Sequence, residues 1–131
     1  MNTKKKKQHV LLVDDEELNR TLCERIMVKE GYSVSEAEDG REAVELMQKS
    51  PLGHFDLIIM DIQMPNMNGY EATRQIRNMD REDAKNIPII ALSADDSPED
   101  VQKSKEYGMN AHMSKPFNIP KIIDVVKEYL Q

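Results

Sequence analysis

Two short apolar runs, Val10-Leu11-Leu12-Val13 and Leu57-Ile58-Ile59-Met60, each stop abruptly at an aspartate. Apolarity that is continuous over only four residues, without polar alternation, is the pattern of strands covered on both faces, as in parallel sheets flanked by helices. Acids directly after such strands bring carboxylates to the carboxyl edge of a sheet. A third run from Ile87 to Leu92 carries Pro88 near its start, where a missing amide donor is tolerated. Ser33-Val34-Ser35-Glu36-Ala37 alternates and suits a strand with one exposed side, and Ala111-His112-Met113 is a shorter fifth candidate.

Between these runs the period becomes helical. Leu18, Leu22 and Ile26 recur every four residues and stop at Gly31, a C-terminal capping residue. Asp39 with Glu42, and Asn68 with Glu71, place a capping side chain three residues ahead of a carboxylate, and Ser97-Pro98 combines an N-cap with proline in the first turn. Ile119, Ile122, Ile123, Val126 and Leu130 form one apolar stripe to the C-terminus. The alternation predicts an α/β fold: a flavodoxin-like doubly wound parallel sheet of five strands, order 2-1-3-4-5, with five helices. At 131 residues the chain suits one domain. Residues 1–8 read as a basic tail or linker and residues 9–131 as the domain.

Charge narrows the partners. The net charge of -6 disfavours a broad nucleic-acid footprint, which needs clustered cations. The lysines at 4–7 are the exception and read as a solvated tail or linker end, with nucleic-acid or anionic-membrane contact as the remaining reading. No apolar run approaches the roughly 18 residues of a membrane span. With no apolar stretch behind the basic start and a single cysteine, Cys23, the expected compartment is the cytoplasm.

Ligands of open α/β sheets bind outside the carboxyl ends of the strands, so the residues after each strand matter most. These are Asp14, Asp15 and Glu16 after the first, Asp61 after the third, Ser93 after the fourth and Lys115 after the fifth. Crowded carboxylates repel one another, and a hard divalent cation with oxygen ligands relieves the repulsion; Mg2+ fits because it keeps waters and shares phosphate oxygens. Taken alone, Asp14-Asp15 reads equally as a cap of the first helix. Asp61 reads as a carboxylate nucleophile or as a turn aspartate before Gln63-Met64-Pro65. Phosphoryl transfer asks a protein for positioning and charge neutralisation. Lys115 offers a point charge for one phosphoryl oxygen and Ser93 a hydroxyl for another. The nine methionines do not gather at a strand end and read as packing groups, and His9 and His54 lack positional support for a role.

Four segments occur in order: Val10-Leu11-Leu12-Val13-Asp14-Asp15, Met60-Asp61-Ile62-Gln63-Met64-Pro65 through Gly69, Ile89-Ile90-Ala91-Leu92-Ser93-Ala94, and Met113-Ser114-Lys115-Pro116-Phe117. Together they resemble the motifs of response-regulator receiver domains, and the resemblance covers the chain from about His9 onward. It implies that Asp61 accepts a phosphoryl group, that Asp15, Asp61 and the Gln63 carbonyl ligate Mg2+, and that Asp14 contributes directly or through water. It also implies that Ser93 is the switch hydroxyl and Lys115 the phosphate-binding amine. Ser93 stands where many relatives carry threonine, and His112 where many carry tyrosine or phenylalanine. In the family that aromatic residue rotates with the hydroxyl and remodels the surface of helix four, strand five and helix five. His112 is smaller and titrates, and its other reading is a half-exposed strand histidine. Gln63 and Ala94 are expected beside the acyl phosphate, where they set its lifetime.

The implied partner is a sensor histidine kinase or a histidine phosphotransfer protein, with room for a transient homodimer. The stretches around Asp61 and Lys115 are similar to receivers fused to hybrid histidine kinases, which favours a piece of a longer sensor over a single-domain regulator. The domain is then no enzyme in its own right, although it assists its own phosphorylation and dephosphorylation. Three other classes are weighed against it. An aspartyl-phosphate hydrolase normally has a second acid two residues after the nucleophile, where this chain has Gln63. A flavin or nucleotide module lacks its GxGxxG turn or P-loop. A docking module independent of phosphorylation has no need of the full set Asp14, Asp15, Asp61, Ser93 and Lys115.

Overall fold

The computed structural model describes residues 7–115 and 118–130. The lysines at 4–6 and the Pro116-Phe117 end of the last motif lie outside the described residues. Strands β1 (His9–Val13), β2 (Ser33–Ala37), β3 (Leu57–Asp61), β4 (Ile89–Ser93) and β5 (Ala111–Ser114) form one parallel sheet in the order β2-β1-β3-β4-β5. The helices are α1 (Glu17–Lys29), α2 (Gly40–Lys49), α3 (Gly69–Arg77), α4 (Glu82–Asn86), α5 (Pro98–Tyr107) and α6 (Ile119–Leu130). The strand order matches the expectation from the sequence.

Alternation along the strands divides the interior into two layers. Leu11, Val13, Ile58, Met60, Ile89 and Ala91 point to one side, where they meet Ala43 and Met47 of α2, Ala72 and Ile76 of α3, and Ala84 of α4. Val10, Leu12, Leu57, Ile59, Ile90 and Leu92 point to the other, against Cys23, Ile26 and Met27 of α1 and Ile122, Val126 and Leu130 of α6. Burial on both faces is why β1 and β3 read as unbroken apolar runs.

One expectation is corrected. Six helices are present among the described residues rather than five: α4 is a single short helix between α3 and β4. Five residues cannot display a helical period, and α4 is held from outside. Arg81 at its start donates to Asp83, to the carbonyl of Met47 in the last turn of α2, and to those of Ser50 and Pro51 just after it. The Leu18-Leu22-Ile26 row lies in α1 as the spacing predicts, but only its end is buried. Leu18 is 79% and Leu22 40% exposed, and the face against the sheet is Arg20, Cys23, Ile26 and Met27. A strict four-residue row drifts around a helix of 3.6 residues per turn, so only its last member reaches the core.

The end signals behave as their chemistry requires. The side chains of Asp39, Asn68 and Ser97 accept from the amides of Glu42, Glu71 and Asp100. Gly31 follows α1 at φ +96°, where a side chain would be strained.

Candidate functional site

Register puts the acids together. Val13 pairs with Met60 across β1 and β3, so Asp14 and Asp61 are the next residues of adjacent strands at one carboxyl edge, beside the point where strand order reverses. Leu92 pairs with Asp61, and Ser93 with Ser114, which carries Ser93 and Lys115 to the same edge. Carboxylate oxygens of Asp14, Asp15 and Asp61 all lie within 4.8 Å of one another. Asp14 and Asp61 are buried and Asp15 is exposed, which gives the cluster one wet side.

Each acid is aimed by its own backbone. Asp14 Oδ1 accepts from the Glu16 amide at 2.9 Å, and Asp61 Oδ1 from the Gln63 amide at 3.3 Å. Their other oxygens, Asp14 Oδ2 and Asp61 Oδ2, are buried without a hydrogen-bond partner among the described residues. The Lys115 ammonium stands 3.2 Å from Asp61 Oδ2 and 3.8 Å from Asp14 Oδ2, close enough for an ion pair but not aligned as a donor. Burial, reinforced by the charge of Asp14, pushes the Asp61 carboxyl up to about 6, while Lys115 and the Gln63 amide pull the other way. Burial opposes the charge on Lys115, but Asp61 and Asp14 outweigh it and hold its ammonium above the ordinary lysine range. The oxygen donors, buried orphaned oxygens and excess negative charge fit a small hard cation.

The surrounding framework is equally specific. Arg20, 8% exposed, donates to the Asp14 carbonyl at 2.8 Å and to Glu36 at 3.2 Å, fixing the turn that carries the two adjacent acids. Gly69 opens α3 against the end of β3, where a Cβ would collide with the Asp61 carbonyl oxygen. Asp14 and Asp15 do not cap α1: its N-cap position is Glu16, without a side-chain bond to the helix. Cys23 lies beneath the site with its thiol pushed up to about 12 by burial and then by Asp14, so it is not a thiolate nucleophile.

Gln63, whose amide donates to Asp61, and Ala94, which follows Ser93, are both exposed. The Ser93 hydroxyl is buried and bonded to Asp95 and Asp100 rather than to the acids. His112 is half-buried on β5, with Nδ1 2.9 Å from Ser104 Oγ and Nε2 3.0 Å from the Asp95 carbonyl. His9 and His54 pack together with ring centroids 4.6 Å apart; His9 opens β1, at the opposite edge of the sheet. Arg20, Asp100 and Ser104 were not singled out from the sequence. No helix of the described residues is long and apolar enough to cross a membrane.

The model of the response regulator receiver domain matches residues 10–127. The chain is 36% identical over 121 residues to the polar-differentiation response regulator DivK of Brucella ovis, covering 92% of this chain and 94% of that protein. Among solved structures it is similar to the chemotaxis response regulator CheY4 of Vibrio cholerae, with a TM-score of 0.86 and 34% identity over 95% of this chain and 99% of that one. It is also similar to the receiver domain of the sensor histidine kinase PA1611 of Pseudomonas aeruginosa, solved with magnesium in its active-site cleft, with a TM-score of 0.84 and 32% identity over 95% of this chain and 98% of that one. With an acid cluster suited to a cation at the switch point of the sheet, the chain belongs to the response regulator receiver domains and is a phosphoryl-accepting signalling domain.

Proposed function

We propose that Asp61 is the phosphoacceptor, that Asp14, Asp15, Asp61 and the Gln63 carbonyl hold Mg2+, and that Lys115 and Ser93 bind the phosphoryl oxygens. The observation that carries this reading is the orphaned Oδ2 of buried Asp61, set between two further acids and 3.2 Å from the Lys115 ammonium. A buried carboxylate oxygen without a donor keeps its lone pairs for an electrophile. It attacks the phosphorus of a phosphohistidine, the P–N bond breaks, and the electron pair returns to the imidazole nitrogen of the donor, which takes a proton from solvent. Bound Mg2+ supplies charge neutralisation for the phosphoryl oxygens and favours the ionised form of Asp61. Lys115 turns from Asp61 to a phosphoryl oxygen, and Ser93 donates its proton to another.

Hydrolytic turnover is poor because Gln63 offers an amide where a hydrolase has a second acid. Gln63 and Ala94 govern the approach of water, so replacing Gln63 with alanine alters the autodephosphorylation rate; an unchanged rate removes Gln63 from this role. The donor is a sensor histidine kinase or a histidine phosphotransfer protein in the cytoplasm. The output is the surface of α5, β5 and α6, reached through Ser93 and His112.

The test is incubation with a small phosphodonor and Mg2+, followed by intact mass measurement. Wild type gains one phosphoryl mass that Asp61→Ala does not. Wild type that gains none from any donor refutes the assignment.

A further inference from the structure

Ser93 ends β4 at 1% exposure, and its hydrogen-bond partners lie on the side of α5. Its hydroxyl donates to Asp100 Oδ2 at 3.3 Å and accepts from the Asp95 amide at 3.0 Å. The connections continue from there. The Ser104 hydroxyl, also 1% exposed, lies 3.1 Å from the Asp100 carbonyl and 2.9 Å from His112 Nδ1. His112 Nε2 is 3.0 Å from the Asp95 carbonyl, a group that only accepts, so this nitrogen carries the ring hydrogen. The path closes on itself: Ser93, Asp100, Ser104, His112, Asp95 and back to Ser93.

A serine hydroxyl has one proton. The proton now given to Asp100 is the one that a phosphoryl oxygen on Asp61 requires, so the two bonds exclude each other. When Ser93 turns to the phosphoryl group, the Asp100 carboxylate loses a donor. A replacement is at hand. The Tyr70 hydroxyl is buried within reach of Asp100 and Ser104 but makes no well-aligned hydrogen bond among the described residues, and Tyr70 and Asp100 line the same groove. A buried hydroxyl gains from completing such a bond, and a small turn of the Asp100 carboxylate away from Ser93 supplies the acceptor. Its ring is already held by stacking on Tyr107, at 5.0 Å between centroids, and by the Lys103 ammonium 4.8 Å away.

We propose that Asp100 exchanges hydrogen-bond partners on phosphorylation: it releases Ser93 to the phosphoryl group and takes the Tyr70 hydroxyl instead, while Ser104 and His112 carry the change to β5. This rests on Asp61 being the phosphoacceptor. Asp100 and Tyr70 are positioning residues: Asp100 holds Ser93 at rest, and Tyr70 stabilises the activated arrangement through Asp100.

The test uses the full chain with Mg2+ and beryllium trifluoride, a stable mimic of the phosphoryl group, followed by NMR titration. Tyr70→Phe binds the mimic about three- to tenfold more weakly, the range expected for one hydrogen bond, whereas Asp100→Ala, which loses one bond in each state, binds it as wild type does. In an Asp100→Ala background the Tyr70→Phe loss disappears, which a merely structural effect of Tyr70 would not do. Wild-type binding by Tyr70→Phe, or a loss that persists without Asp100, overturns the exchange. Wild type that takes neither the mimic nor a phosphoryl mass overturns the acceptor reading itself. Labelling at Asp61 without the Asp100-dependent loss in Tyr70→Phe overturns the exchange alone.

Discussion

Lys115 Nζ is shared between two buried acids, 3.2 Å from Asp61 Oδ2 and 3.8 Å from Asp14 Oδ2. The ammonium is the nearest compensation for charges that burial and mutual repulsion both oppose. Lys115→Ala therefore destabilises the fold at pH 7 by about 1–3 kcal/mol, less than a fully buried pair because the lysine retains some solvent. At pH 5, where Asp61 is protonated, the loss shrinks. Urea denaturation at both pH values measures it, and an equal loss at each would contradict the account.

Asp61 itself sets a second pH dependence. Its carboxyl, ordinarily near 3.8, is raised to about 6 in the fold. The folded state then binds more protons than the unfolded one between about pH 4 and 6, so the contribution of this group to stability is full below pH 4 and lost as pH rises through 6. Asp61→Asn removes the cost of the buried charge. It stabilises the metal-free domain by about 1–3 kcal/mol at pH 7.5, with the gain vanishing towards pH 4. A gain independent of pH in denaturant titrations would show that the charge is not its cause.

Mg2+ held by the proposed ligands Asp14, Asp15 and Asp61 would reverse that cost, because it favours their ionised forms. At ten times its dissociation constant it adds about 1.4 kcal/mol to stability, a rise in Tm of about 3–5 °C for a domain of this size. Asp61→Asn reduces the rise to less than half. Calorimetry with and without chelator checks this, and equal rises in the two proteins would place the ion elsewhere.

Arg20 holds the Asp14 carbonyl at 2.8 Å from within the fold. Arg20→Met keeps much of the apolar stem but leaves that carbonyl without its donor. It costs about 1–3 kcal/mol and weakens Mg2+ binding by loosening the turn of Asp14 and Asp15. Calorimetric titration with Mg2+ gives the affinity; loss of stability with wild-type affinity would confine Arg20 to a structural role.

The arrangement of β1 and β3 was legible because strands buried on both faces leave no freedom for polar residues until they end. The aspartates that break the two runs mark the carboxyl edge directly, and Asp39, Asn68 and Ser97 mark helix starts because orphan amides demand a local acceptor. Local rules could not reach further. Leu18 and Leu22 are apolar at helical spacing, yet the sheet lies under Cys23 and Met27, and only packing decides which row turns inward. The short helix α4 depends on Arg81 reaching carbonyls about 30 residues earlier in the chain.

What the chain alone determined is the chemistry of its strand ends: three acids, a hydroxyl and an amine at one edge, since strand polarity and the parallel order carry each of them there. What only the tertiary structure decided is which groups those residues hold at rest. Ser93 faces Asp100, the buried Tyr70 hydroxyl sits near Asp100 without a well-aligned bond, and Arg20 grips the Asp14 carbonyl. Directed bonds such as these, between residues 6 and 7 positions apart on different elements, depend on how helices lie against the sheet, and no local pattern encodes that angle.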